Sequence, residues 1–161
     1  MLAKYGLRED LVKINMKAAQ HAKSVCPRDK FVVGSVGPTG EFLQPLGPVS
    51  EQEMFDGFTE QIQALEKGGA DGVIIETMTS LEETLLAVES VKRNTNLVVM
   101  ATMTFDLGPR GFFTMMGVTP EKAVKEIRKK GADVVGTNCG NGIENMVKIA
   151  KIMRAVDDGP L

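Results

Sequence analysis

Apolar residues recur along this chain in two alternating rhythms. Leu7, Leu11, Ile14, Ala18, Ala22 and Val25 stand at helical spacing, so residues 7–25 predict an amphipathic helix. Residues 31–36 then form a short, nearly continuous apolar run, which predicts a buried strand. A loop rich in glycine and proline follows, through Gly37, Pro38, Gly40, Pro45, Gly47 and Pro48. Ser50 with Glu53 three residues later is a capping box that opens a helix running to about Lys67, where Gly68-Gly69 stops it. Residues 72–77 predict a second strand. Ser80 and Glu83 form a second capping box, opening a helix to about Lys92. Residues 97–103 predict a third strand, followed by a glycine-bearing loop. Thr119 before Pro120 predicts an N-cap and first turn for a helix to about Lys130. Residues 133–138 predict the fourth strand and residues 143–155 the last helix.

An internal repeat supports this division. Lys67-Gly68-Gly69-Ala70-Asp71 precedes one strand and Lys130-Gly131-Ala132-Asp133 another, each marking a helix stop, a short turn and a strand start. Strands that are apolar throughout predict a parallel sheet covered by helices on at least one side, and therefore an α/β class. Four such units fit either a small doubly wound domain or about half of an eight-stranded barrel, which takes roughly 250 residues when whole. The chain starts and stops between strands, as a piece of a longer repeat would.

Composition narrows the function classes. With 161 residues, 19 basic and 21 acidic side chains and a net charge of −2, the chain lacks the basic footprint of a nucleic-acid binder. No apolar run approaches the roughly 20 residues that span a bilayer, and the N-terminus is charged too early for a signal peptide, so no membrane partner is expected. Two cysteines in a charged chain suggest a reducing cytoplasm.

Reactive groups in parallel α/β proteins collect at the carboxyl ends of strands. Gly34, Gly37 and Gly40 match neither the dinucleotide fingerprint nor the P-loop, and Pro38 removes a donor that a phosphate cradle needs. Glu76 ends a fully apolar run. Its carboxylate could bind an ammonium group, act as a general base, or pair locally with the helix start at Thr79–Ser80. Thr102, Thr104 and Asp106 end the third strand, with Asp106 read as a turn residue. His21 reads as solvated surface and Cys26, before Pro27, as a bystander. Cys139 stands where the fourth apolar run gives way to Gly140-Asn141-Gly142. No Cys-x-x-Cys pair supports a redox role for it, and no placed histidine activates a thiolate, which leaves metal ligation or simple burial.

Taken together, the strand ends resemble the homocysteine S-methyltransferase domain family, which includes the N-terminal module of cobalamin-dependent methionine synthase and betaine–homocysteine methyltransferase. The resemblance runs in order over nearly the whole chain: Gly34-Ser35-Val36-Gly37-Pro38-Thr39-Gly40, the strand ending Ile75-Glu76-Thr77, Met103-Thr104-Phe105-Asp106, and Gly136-Thr137-Asn138-Cys139. It implies a partial (β/α)8 TIM barrel in which residues 1–161 form a single domain. About four βα units correspond to strands three to six, and the first two and last two strands are lacking. It implies methyl transfer to homocysteine, with Cys139 a zinc ligand and Glu76 binding the substrate amino group. Zinc would then supply the thiolate that a free thiol, with a pKa of about 8.5, mostly lacks at neutral pH. The methyl donor is left between methylcobalamin on another domain, betaine and S-methylmethionine.

The family's Gly-Gly-Cys-Cys segment, which supplies two further thiolates, is absent from this sequence. The expectation is therefore that the isolated chain binds zinc weakly and is inactive alone. An open half-barrel should also self-associate or bind a missing half. Rival readings are a non-catalytic α/β binding module, and a methyltransferase of the same fold acting on another thiol or a corrinoid carrier.

Overall fold

The computed structural model describes residues 2–161. After a 3-10 turn over Leu2–Tyr5 come α1 (Leu11–Val25), β1 (Val33–Val36), α2 (Glu51–Lys67), β2 (Gly72–Met78), α3 (Leu81–Asn94) and β3 (Val98–Met103). The chain continues with β4 (Asp106–Gly108), β5 (Gly111–Phe113), α4 (Pro120–Lys130), β6 (Val134–Thr137) and α5 (Ile143–Arg154). Four strands form one parallel sheet in the order β1-β2-β3-β6, joined by helical crossovers. Among the described residues, no helix is long and apolar enough to cross a membrane.

One face of the sheet is sealed and the other is open. Val36, Val73, Ile75, Val99, Ala101, Met103 and Val135 are all fully buried beneath the helices. Burying each larger side chain contributes about 1.5–3 kcal/mol. Their neighbours along the strands face the other way: Val33 is 40% exposed and Val98 49%, and Ile74, Met100 and Val134 are only partly covered. Ile74, Met100 and Val134 line an apolar hollow of about 260 Å³, against which Leu161 lies. The outer edge of β6 is partly occupied, since Val135 N–H donates to Pro160 O at 3.1 Å. Arg128 fastens that tail by donating to Asp157 and to Pro160 O.

The sequence repeat is a repeat of hydrogen bonds. Asp71 Oδ2 accepts from Val32 N–H at 2.8 Å and from Lys23 Nζ at 2.7 Å, while its own N–H donates to Val32 O. Asp133 Oδ2 accepts from Val99 N–H at 2.8 Å and from Lys92 Nζ at 3.5 Å, and its N–H donates to Val99 O. Each aspartate thus latches the start of one strand to its neighbour. Gly69 and Gly131 turn the chain into this arrangement at φ 93° and 108°, a region costly to residues with a Cβ.

Several boundaries move from the sequence expectation, for stated reasons. The first strand begins at Val33 rather than Phe31, which is 79% exposed, because Asp71 occupies both polar groups of Val32 ahead of the ladder. The first helix begins at Leu11, since Leu7–Asp10 closes a tighter turn with Asp10 N–H donating to Leu7 O. The loop after β3 contains the β4–β5 hairpin, where Asp106 pairs with Phe113 as a strand residue rather than serving as a turn. Ser80 caps α3 by accepting from Glu83 N–H, but the second capping box is not completed. The Glu83 carboxylate instead accepts from Thr39 N–H and Thr39 Oγ1, both at 2.7 Å, tying the loop after β1 to α3.

The Asp71 latch has a pH signature. The hydrogen bond from Lys23, then that from Val32 N–H, hold the Asp71 carboxyl below its ordinary pKa. Its stabilising contribution is therefore full above the unfolded value and disappears as pH falls through the depressed folded one. Asp71→Asn should lower the urea midpoint at neutral pH, and the gap from the wild type should close as pH falls from about 5 to about 2. A gap that does not change with pH would contradict the charged latch.

Candidate active site

Parallel strands that start level also end level, so their carboxyl ends meet at one rim of the sheet. Ser35 on β1, Glu76 and Thr77 on β2, Thr102 on β3 and Asn138-Cys139 just after β6 gather there. Ser35 Oγ donates to Glu76 Oε1 at 2.7 Å. Asn138 Nδ2 lies 3.4 Å from Glu76 Oε2, 2.8 Å from Thr77 Oγ1 and 3.3 Å from Cys139 Sγ. Asn138 Oδ1 accepts from Thr77 N–H at 2.9 Å and from Thr102 Oγ1 at 2.8 Å.

The backbone at this rim is held in an uncommon conformation. Thr77 at φ 63° and Cys139 at φ 58° are the two non-glycine residues with positive φ among those described. A β-branched residue in that region is a marked outlier, costing about 1–3 kcal/mol. The ladder between β2 and β3 shifts register between Ile75 and Met78, so Thr77 sits in a bulge that re-aims the strand end. Asn138 O accepts from Thr104 Oγ1 at 3.0 Å, and Asn141 Nδ2 donates to Phe105 O, fixing the next turn onto the end of β3.

Glu76 meets neither a cation nor the start of α3. Both of its recorded partners, Ser35 and Asn138, are neutral donors, and no ion pair involves it among the described residues. Such a carboxylate has lone pairs left for an ammonium group. Cys139 is an exposed free thiol whose Sγ is 3.7 Å from Thr77 Oγ1. Thr104 acts through its hydroxyl on the Asn138 carbonyl, and Asp106 lies on the adjoining hairpin. His21 and half-buried Cys26 are on or beside α1, away from this rim. Gly34 faces the helices, where a Cβ would come within 2.7 Å of Leu65.

Sequence reasoning missed Asn138 and Ser35 as members of the site. Both were visible only as neighbours in motifs. The signal for Ser35 was a hydroxyl in an otherwise apolar run. That for Asn138 was an amide directly ahead of a strand-end thiol.

The donor set decides how far a metal reading goes. Zinc sites use three or four nitrogen, sulfur or carboxylate ligands. Among the described residues, no group of three His, Cys, Asp or Glu side chains converges to hold a metal ion. Cys139 by itself does not fit zinc as a complete site.

Gly140 allows the thiol turn to pack. It adopts φ 76°, and a Cβ there would lie 2.7 Å from Thr104 Cγ2. Gly140→Ala should destabilise the protein by about 1–3 kcal/mol in denaturant unfolding. A cost below about 0.5 kcal/mol, the scatter of ordinary surface changes, would contradict this packing.

Comparison with known proteins identifies the family and the fold. A family model for homocysteine S-methyltransferase matches residues 1–160. Betaine–homocysteine S-methyltransferase 1 of Sus scrofa is 32% identical over 143 residues, covering 88% of this chain and 49% of that protein. The Danio rerio protein of the same name is 33% identical over 144 residues, covering 89% of this chain and 34% of its own length. The chain thus spans half or less of these relatives. The crystal structure of the apo homocysteine methyltransferase MmuM from Escherichia coli superposes with a TM-score of 0.67 at 20% identity, covering 91% of this chain and 54% of that one. That likeness carries the fold, a (β/α)8 barrel present in part.

Proposed function

The chain belongs to the homocysteine S-methyltransferase family, and on that footing we propose that it is the portion containing strands three to six of an enzyme that methylates homocysteine to methionine. The observation that carries the reading is Glu76: a carboxylate at the strand ends, held by neutral donors and without a cation of its own. An α-amino acid thiol presents an ammonium group that such a carboxylate binds. In the reaction the bond from donor to methyl carbon breaks, the carbon–sulfur bond forms, and the thiol proton is lost.

Cys139 is proposed as one ligand of a zinc site whose other donors lie outside these residues. Its exposed thiol, on the same rim as Glu76, supports that role. The open apolar face of the sheet, with Val33 and Val98 uncovered, would take the remaining strands of the barrel. Methylcobalamin on another domain, betaine and S-methylmethionine are the donors to test. Two free cysteines suit a reducing cytoplasm.

Zinc content tests the proposal. This chain alone should purify without stoichiometric zinc and should not methylate homocysteine. A polypeptide carrying the whole barrel should hold one zinc and turn over, and Cys139→Ser in it should weaken zinc binding by at least about 10–100-fold. Stoichiometric zinc in the isolated monomer, or full zinc in the serine variant, would contradict it.

A further inference from the structure

We propose that Asn138 is a positioning residue that fixes the separation between the Glu76 carboxylate and the Cys139 sulfur. It rests on the reading of Glu76 and Cys139 as the groups that grip the two ends of one amino-acid thiol. Two such groups must keep a set spacing, because a substrate with one more or one fewer methylene differs only in that length.

Asn138 is placed to impose this spacing. Its amide oxygen accepts two donors, Thr77 N–H at 2.9 Å and Thr102 Oγ1 at 2.8 Å. A backbone N–H can only donate, so the oxygen must face Thr77 and the amide nitrogen is turned towards the rim. One amide hydrogen is directed to Thr77 Oγ1 at 2.8 Å. The other meets the gap between Glu76 Oε2 at 3.4 Å and Cys139 Sγ at 3.3 Å. A single rigid, planar group therefore touches both functional side chains.

The backbone around it is equally constrained. Thr77, directly after Glu76, and Cys139, directly after Asn138, both occupy positive φ. Such conformations persist where the surroundings over-determine them. Asn138 provides part of that restraint, through its side chain to Thr77 N–H and through its carbonyl to Thr104 Oγ1. Without its amide, Thr77 could relax and carry Glu76 away from the thiol.

The test needs no zinc, homocysteine or methyl donor. Cys139 is labelled with two methanethiosulfonate reagents of equal size, one carrying a trimethylammonium and the other a sulfonate. Rates are read by peptide mass spectrometry, with Cys26 as internal reference. Both reagents attack the same thiolate, so their rate ratio cancels the thiolate fraction and reports the charge held beside the sulfur. Measured relative to the Cys26 ratio, which carries the thiolate's own preference for a cation, the wild type should favour the cationic reagent by about five-fold at low salt. Glu76→Gln should abolish that preference. Asn138→Ala should reduce it to less than about two-fold, with the Cys26 ratio unmoved.

An unchanged ratio in Asn138→Ala, or no preference in the wild type, would overturn the proposal. Should the alanine variant fail to fold, the side-chain amide signals of Asn138 in ¹⁵N-labelled protein decide. Glu76→Gln and Cys139→Ser must each shift them, and a variant that leaves them in place overturns the proposal. Failure of methyl transfer in a complete barrel would refute the functional reading while leaving this labelling pattern intact.

Discussion

Two aspartate carboxylates set the level at which the parallel sheet begins. Asp71 accepts the last backbone N–H before β1 and Asp133 that of the second residue of β3, and each is held by a lysine from the preceding helical layer. Parallel strands cannot correct a slip by a tight turn, because each is reached through a long crossover. A carboxylate at the strand entrance supplies the missing reference point. Everything at the far rim inherits it: Val36 lies beside Ile75, Ala101 beside Ile75 and Val135, and the residues beyond them arrive together.

Above that regular base, the rim departs from regular structure where chemistry would be placed. The bulge at Thr77 near the end of β2 and the left-handed turn at Cys139 after β6 are separate distortions at the ends of separate strands. Asn138 joins them, since its side chain bonds the first and its own backbone begins the second. The conformational cost of the two turns is offset by a network of hydrogen bonds together with the close approach of Gly140 to Thr104. That leaves the Cys139 thiol exposed while its backbone remains fixed.

Much of this architecture could be read from residue pattern because local and global signals agree. Ser50 with Glu53 and Thr119 before Pro120 act within a few residues, and the structure uses both of them locally. The failures are non-local. Glu83 matches a capping box, but Thr39, 44 residues away, takes its carboxylate. Strands β4 and β5 are three residues each, too short for an alternation to show. Phe31 looks like strand core, yet the open face leaves it exposed. At the site, Glu76 and Cys139 stood out because a carboxylate and a thiol are conspicuous at strand ends. Asn138 did not, because an amide's role depends on five partner atoms on four residues spread over three βα units.

Level strand ends place a carboxylate without an ion pair and an exposed thiol on one rim, the two groups proposed to grip the ends of one amino-acid thiol. The most direct measurement is kcat/KM of a polypeptide carrying the complete barrel, for L-homocysteine against 4-mercaptobutanoate, the same thiol without the amine. A site built around a charged hydrogen bond rejects a substrate lacking that partner strongly, so a preference of at least about 100-fold is predicted, falling towards unity in Glu76→Gln. Equal kcat/KM for the two thiols, or a preference that survives Glu76→Gln, would contradict the account.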